Sequence, residues 1–242
     1  MQKDRIYNRV RFVRPDESIV ERLSAYDQSI EHFFEQNLWC KDPKVQKGTG
    51  EYMPPSSFVG MTSVIEPILT PDTTVVHVAG GLSSLLWALS RDHPEQRLIG
   101  IDIDPYYVQE FGNTEDLGYK LKTMDVRNIG RLKLEGHTII TSYHFLAYRW
   151  LLCQNGGPTL PEVITSMKEA IATGSHIVSQ VWQTELPRTK QTLRDHLDER
   201  KFQKFSEAAL FLELVKQGFD TEITALDTKE GISALVFMSQ KV

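Results

Sequence analysis

The sequence predicts an α/β protein, a doubly wound and mostly parallel sheet with a helical extension at its N-terminus. Three observations predict it. Val75, Val76 and Val78 open a short, β-branched apolar run of the kind a buried parallel strand needs, and Ala79-Gly80-Gly81 ends it. Leu82 to Ser90 then carries apolar residues at helical spacing, and Arg97 to Ile101 is a second apolar strand ending at Asp102. Beyond it, apolar strands keep alternating with helical stretches, and the chain closes on two strands around a brief turn.

Strand, small-residue turn, helix, strand, acid is the order of a βαβ unit that binds a nucleotide. A turn without bulky side chains lets backbone N–H groups approach a ligand that a Cβ would obstruct. An acid about 20 residues further on suits a ribose, whose two hydroxyls both donate to one carboxylate. The alternative is an ordinary βαβ unit with a small turn and an unrelated acid at the next strand end.

Length and composition narrow the class. At 242 residues, with 40% hydrophobic and 24% charged residues, the chain is long enough for one sizeable core plus an appendage. A net charge of −5 disfavours nucleic acid as the main partner. No apolar run is long enough for a membrane span, and the polar start MQKDRIYNRVRFVRPDES has no signal-peptide core, so a cytoplasmic location is the expectation. The two cysteines, Cys40 and Cys153, lie far apart and suggest neither a disulfide framework nor a zinc site; no metal is expected.

The chain divides at about residue 70. Residues 1–70 are expected as a helical extension, a lid over the ligand mouth or simply a cover for one face of the sheet. Glu17 to Asn37 places Ile19, Val20, Leu23, Tyr26, Ile30, Phe33 and Phe34 on a broad apolar face, with Asp16 or Ser18 as its cap. Pro43, Gly48, Gly50, Pro54 and Pro55 then punctuate a loop in which Tyr52 and Met53 stand out. Phe58 to Leu69 predicts a second helix.

Residues 71–242 are expected as the ligand-binding domain. A helix starts at Pro105 and fades near Gly112-Asn113. Tyr119 to Met124 alternates like a half-buried strand and ends at Asp125. His137 to Ser142 and His176 to Trp182 are further strands, with a helix from Leu160 to Thr173 between them. Arg188 to Arg200 predicts an exposed polar helix, and Phe205 to Lys216 an amphipathic one closed by Gly218. Phe219–Asp227 and Ile232–Ser239 predict a terminal antiparallel pair. His93, His137 and His196 are expected at the surface.

From Pro71 to the C-terminus this pattern resembles the class I S-adenosylmethionine-dependent methyltransferases. HVAGGLSS resembles their first motif, GIDIDP the second-strand motif, TMDV the third and TSYHFL the fourth; Gly218-Phe219 before the last strands is also frequent there. The departures are His77, where that family usually has an acid, and Ala79 and Ser83 at two of three usual glycines. The resemblance implies a Rossmann-like, seven-stranded, mostly parallel sheet with a C-terminal antiparallel strand, and S-adenosylmethionine as cofactor. It implies His77, Ala79, Gly80, Gly81 and Ser83 at the methionine end and Asp102 at the ribose, with Ile103, Met124, Asp125 and Val126 around the adenine. Ser142 lies beside the amino-acid part. Asp102 and Asp125 keep helix or turn capping as their alternative role.

Methyl transfer from a sulfonium needs alignment more than chemical help, so no diagnostic triad is expected. His144 is the candidate base, with a structural role as the alternative, and Tyr143 the candidate contact to the sulfonium. Tyr52, Met53, Gln180 and Trp182 are candidates for the acceptor side. The expected reaction is methylation of an enclosed small molecule. One alternative is attack on the cofactor's aminobutyl chain, by cyclisation or transfer, with release of methylthioadenosine. Another is an inactive relative that only binds. A homodimer through the N-terminal helices is the default expectation for assembly.

Overall fold

A computed structural model of the chain describes residues 6–34, 53–79, 82–105, 108–109, 117–143, 146, 159–182, 206–228 and 231–242. The expected helix at 188–200 lies outside them. The described strands are β1 (Val10–Val13), β2 (Thr74–Val78), β3 (Arg97–Asp102), β4 (Lys120–Thr123), β5 (Thr138–Tyr143), β6 (His176–Trp182), β7 (Phe219–Thr228) and β8 (Gly231–Lys241). The described α-helices are α1 (Glu17–Phe34), α2 (Val59–Ile65), α3 (Ser84–Asp92), α4 (Leu160–Ala170) and α5 (Ser206–Lys216).

The strands form one sheet in the order β1-β7-β8-β6-β5-β2-β3-β4. Strands β2 to β6 pair in parallel, and β8 runs antiparallel between β6 and β7. The sheet therefore has eight described strands, one more than the seven expected. The extra strand is β1, which joins the edge parallel to β7, with Val10 opposite Ile223 and Val13 opposite Leu226. Val10 and Phe12 are half-buried there, so the N-terminal segment, expected as a helical extension, also contributes a strand.

Strand periodicity sorts the core onto two faces. Val76 and Val78 pack with Val163, Ile164 and Met167 of α4 and Leu210, Phe211 and Leu214 of α5. Val75 packs on the opposite face with Ile30 of α1, Met61 and Ile65 of α2 and Leu85, Leu86 and Leu89 of α3. The N-terminal helices thus share a core with the sheet.

Local chemistry sets several boundaries. The helix expected from Phe58 to Leu69 is α only to Ile65; with Pro67 in the segment, Glu66–Ile68 tightens into a 3-10 turn. Helix α4 starts on a capping box, in which Thr159 and Glu162 satisfy each other's backbone N–H groups. It ends at Ala170, where Lys241 Nζ donates to the Lys168 and Ile171 carbonyls at 2.8 and 2.6 Å. Among the described residues, no helix is long and apolar enough to cross a membrane.

The N-terminal segment is tied down at three places. Arg22 of α1 pairs with Glu66 and, at 3.2 Å, with Asp92 of α3. Tyr26 donates to Asp92 at 2.6 Å. Gln180 of β6 is a clamp: its Oε1 accepts the Met61 N–H at 2.8 Å and its Nε2 donates to the Ser57 carbonyl at 2.6 Å. The Met61 N–H is one of the donors a helix start leaves without an intrahelical partner.

Candidate functional site

Chain order reverses at β2, which pairs with β3 on one side and β5 on the other. Open parallel sheets bind ligands beyond the carboxyl ends of the strands at such a point. Ala79 leaves β2 with a φ of 53°, the left-handed region that normally favours glycine, and its N–H donates to the Ile101 carbonyl at 2.8 Å. Gly80 and Gly81 lie outside the described residues. Ser83 caps α3 by accepting the Leu86 N–H at 3.2 Å, and its own N–H donates to the Tyr119 hydroxyl at 2.8 Å. Ser84 Oγ donates to the Met53 carbonyl, which sets that substrate candidate against the start of α3.

At the neighbouring strand ends, half-buried Asp102 closes β3, and its Oδ1 accepts the Asp104 N–H at 3.0 Å. Ile103 follows with 68% of its surface exposed. The Met124 N–H donates to the Asp102 carbonyl at 2.8 Å, so the second acid-bearing strand end is tied to the first. Met124 is half-buried and Val126 buried. Asp125 caps the 3-10 turn Val126–Leu132 through the Arg127 N–H at 2.9 Å. Both its oxygens also accept from Arg127 Nε, at 3.1 and 3.0 Å. These guanidinium bonds hold its carboxyl below the usual carboxylate range. The turn-capping role is thus occupied by Asp125.

Between β2 and β5 the strand ends are roofed. The Phe58 ring stands 4.9 Å from Tyr143 and 6.1 Å from His77, centroid to centroid. His77 is buried inside the sheet face. Thr141's hydroxyl donates to the Val76 carbonyl at 3.3 Å, which leaves it to accept from His77 Nδ1 at 2.8 Å. Burial pushes the imidazole down to about 4, so it is neutral at ordinary pH. Ser142 has no exposed surface, and its hydroxyl donates to Ser179 at 3.0 Å. Gln180, a candidate for the acceptor side, is also buried, with both amide atoms engaged in the clamp. Tyr52 and His144 lie outside the described residues. Trp182 is placed only as a strand residue opposite Ala234.

His137, expected at the surface, is half-buried at the opposite end of the sheet. Its Nε2 lies 3.2 Å from His176 Nδ1, and its Nδ1 lies 3.0 Å from Thr73 Oγ1. Among the described residues, no group of three or more His, Cys, Asp or Glu converges as a metal site. Thr141 and Tyr119 enter the site without a local signal in the sequence, because each acts across a long separation. The one usable hint was Phe58, an aromatic directly after the Pro-rich loop.

No family model and no curated protein matches the chain. Among solved structures it is similar to a precorrin-6y C5,15-methyltransferase from Geobacter metallireducens GS-15, at 14% identity over 82% of this chain and 95% of that one, with a TM-score of 0.49. It is similar to an rRNA methylase from Streptococcus thermophilus, at 9% identity over 80% and 99%, TM-score 0.49. It is also similar to a TehB-like SAM-dependent methyltransferase from Corynebacterium glutamicum, at 12% identity over 90% and 100%, TM-score 0.49.

Proposed function

We propose that this chain is a class I S-adenosylmethionine-dependent methyltransferase acting on a small acceptor enclosed by its own N-terminal segment. Ile103 carries the reading. It is a large apolar side chain left exposed directly after the acid that closes β3, beside the reversal of strand order. An exposed Ile alone needs no explanation. Next to a carboxylate at this crevice, it suits the flat apolar face of an adenine whose ribose hydroxyls donate to Asp102. The left-handed turn at Ala79 and the capped start of α3 suit the methionine end. Met124 and Val126 suit the other face of the adenine. Asp125 would share its Arg127-bonded oxygens with the adenine amine.

The cofactor supplies a methyl group on a sulfonium, which leaves as a neutral thioether. The protein's tasks are then alignment and removal of a proton from the acceptor. Tyr143 offers an aromatic face of the kind that attracts a cation. His144, the next residue, is the candidate for the proton. Phe58 against Tyr143, with α2 clamped by Gln180, supports an enclosed acceptor over a polymer.

Calorimetric titration of the purified protein with S-adenosylmethionine tests the reading. Binding should weaken in Asp102→Ala by roughly ten- to a hundredfold, the worth of hydrogen bonds to a charged group. Equal binding by the variant, or none by the wild type, overturns it. Mass spectrometry of the same mixtures should show S-adenosylhomocysteine once an acceptor is supplied. Methylthioadenosine without an acceptor would move the chemistry to the aminobutyl chain.

A further inference from the structure

We infer that Tyr119 is a positioning residue for Leu82 and Ser83, the loop that leads into α3, holding it in place for the cofactor. This rests on the reading above and extends it to a residue outside the motifs. Tyr119 immediately precedes β4, two strands from the loop it serves. It reaches the loop because β3 carries Gly100 beneath its ring. A Cβ at Gly100 would lie 3.2 Å from Tyr119 Cε2 and 2.9 Å from Leu121 Cδ2. The ring is buried among Leu85, Leu98 and Leu117, and its hydroxyl accepts the Ser83 N–H at 2.8 Å. Burial pushes the phenol up, so it keeps its proton and accepts through a lone pair.

Ser83 is where the loop becomes helix. Its N–H is held by Tyr119, its Oγ caps Leu86, and its neighbour Ser84 holds the Met53 carbonyl. The turn out of β2 is held separately, by the Ala79 N–H on the Ile101 carbonyl. The residues on either side of Gly80-Gly81 are thus both anchored to the β3–β4 side of the sheet. The Ser84 bond to Met53 also anchors the N-terminal segment next to it. Without the phenol oxygen, the Ser83 N–H has no partner in a buried place, and the loop has a reason to shift.

Tyr119→Phe is the test, because it keeps the ring over Gly100 and removes one oxygen. Two readouts separate positioning from mere stability. The first is the dissociation constant for S-adenosylmethionine, measured well below the unfolding transition. It should rise about tenfold, the equivalent of one hydrogen bond. The second is amide exchange of Ser83 in the ligand-free protein, which should accelerate in the variant while amides of β2 and β5 keep their protection. A variant that unfolds more easily yet binds with unchanged affinity, or whose Ser83 amide stays protected, overturns the inference. If the wild type takes up no S-adenosylmethionine, the functional reading falls by itself. Ser83 exchange then still decides whether Tyr119 holds the loop.

Discussion

Ala79 holds a φ of 53° with a Cβ in place, a conformation that costs an L-residue roughly 1–2 kcal/mol. Ala79→Gly should therefore raise the unfolding free energy by about 1 kcal/mol, after the extra entropy of an unfolded glycine is counted. Urea denaturation checks it, and a loss of stability would mean the turn is not strained. His77 makes a pH prediction. Its folded-state value of about 4 lies below the ordinary 6.5, so between those values the unfolded chain binds a proton that the folded chain refuses. Its contribution is present above pH 6.5 and is lost as the pH falls toward 4, by the order of 3 kcal/mol. His77→Gln keeps a partner for Thr141 and removes the titration. Its stability should fall less steeply than the wild type's across that window, while His137 and His176 titrate in both proteins and cancel. Parallel curves would clear His77 of the role.

At the scale of elements, the placement of α2 over the strand ends depends on one amide. Gln180 satisfies a helix-start N–H and a turn carbonyl together, from a strand far away in sequence. Gly60 lets the helix come this close, since a Cβ there would meet Leu226 Cδ1 at 2.7 Å and Val236 Cγ2 at 3.0 Å. Gln180→Leu fills nearly the same space and leaves a buried N–H and a partly buried carbonyl unpaired. It should lower the unfolding free energy by about 2–5 kcal/mol. Limited proteolysis should also cut sooner around Met53 to Met61. A variant as stable and as resistant as the wild type would show that packing alone holds α2 and Phe58 in place.

For the whole molecule, the edge strand β1 matters more than its four residues suggest. It covers the open edge of β7, and buried Ile6 and half-buried Val10 and Phe12 extend the core shared with α4 and α5. Removing residues 1–14 should lower stability by about 4 kcal/mol from lost apolar burial alone. It should also bare a long strand edge, a template for pairing between chains. Unfolding curves and light scattering at rising concentration check both effects. A truncated chain that is equally stable and stays monodisperse would reduce β1 to decoration.

Local pattern determined much of this protein. The β2–turn–α3–β3 unit, the strand ends at Asp102 and Asp125, the amphipathic α1, α4 and α5, and the terminal antiparallel pair all follow from periodicity and punctuation within short windows. Tertiary structure decided what depends on partners distant in sequence. Val10 to Val13 reads as a polar tail until β7 offers it an edge, because strand hydrogen bonds are made between segments. His77 reads as a substitute for an acid until Thr141 and burial make it a neutral core residue. Asp102 and Asp125 look alike as strand-end acids, and only the fold shows Arg127 curled back on the second. Gln180 and Tyr119 became a clamp and an anchor because a polar side chain takes its role from the unpaired backbone group it meets, which the sheet order alone brings near.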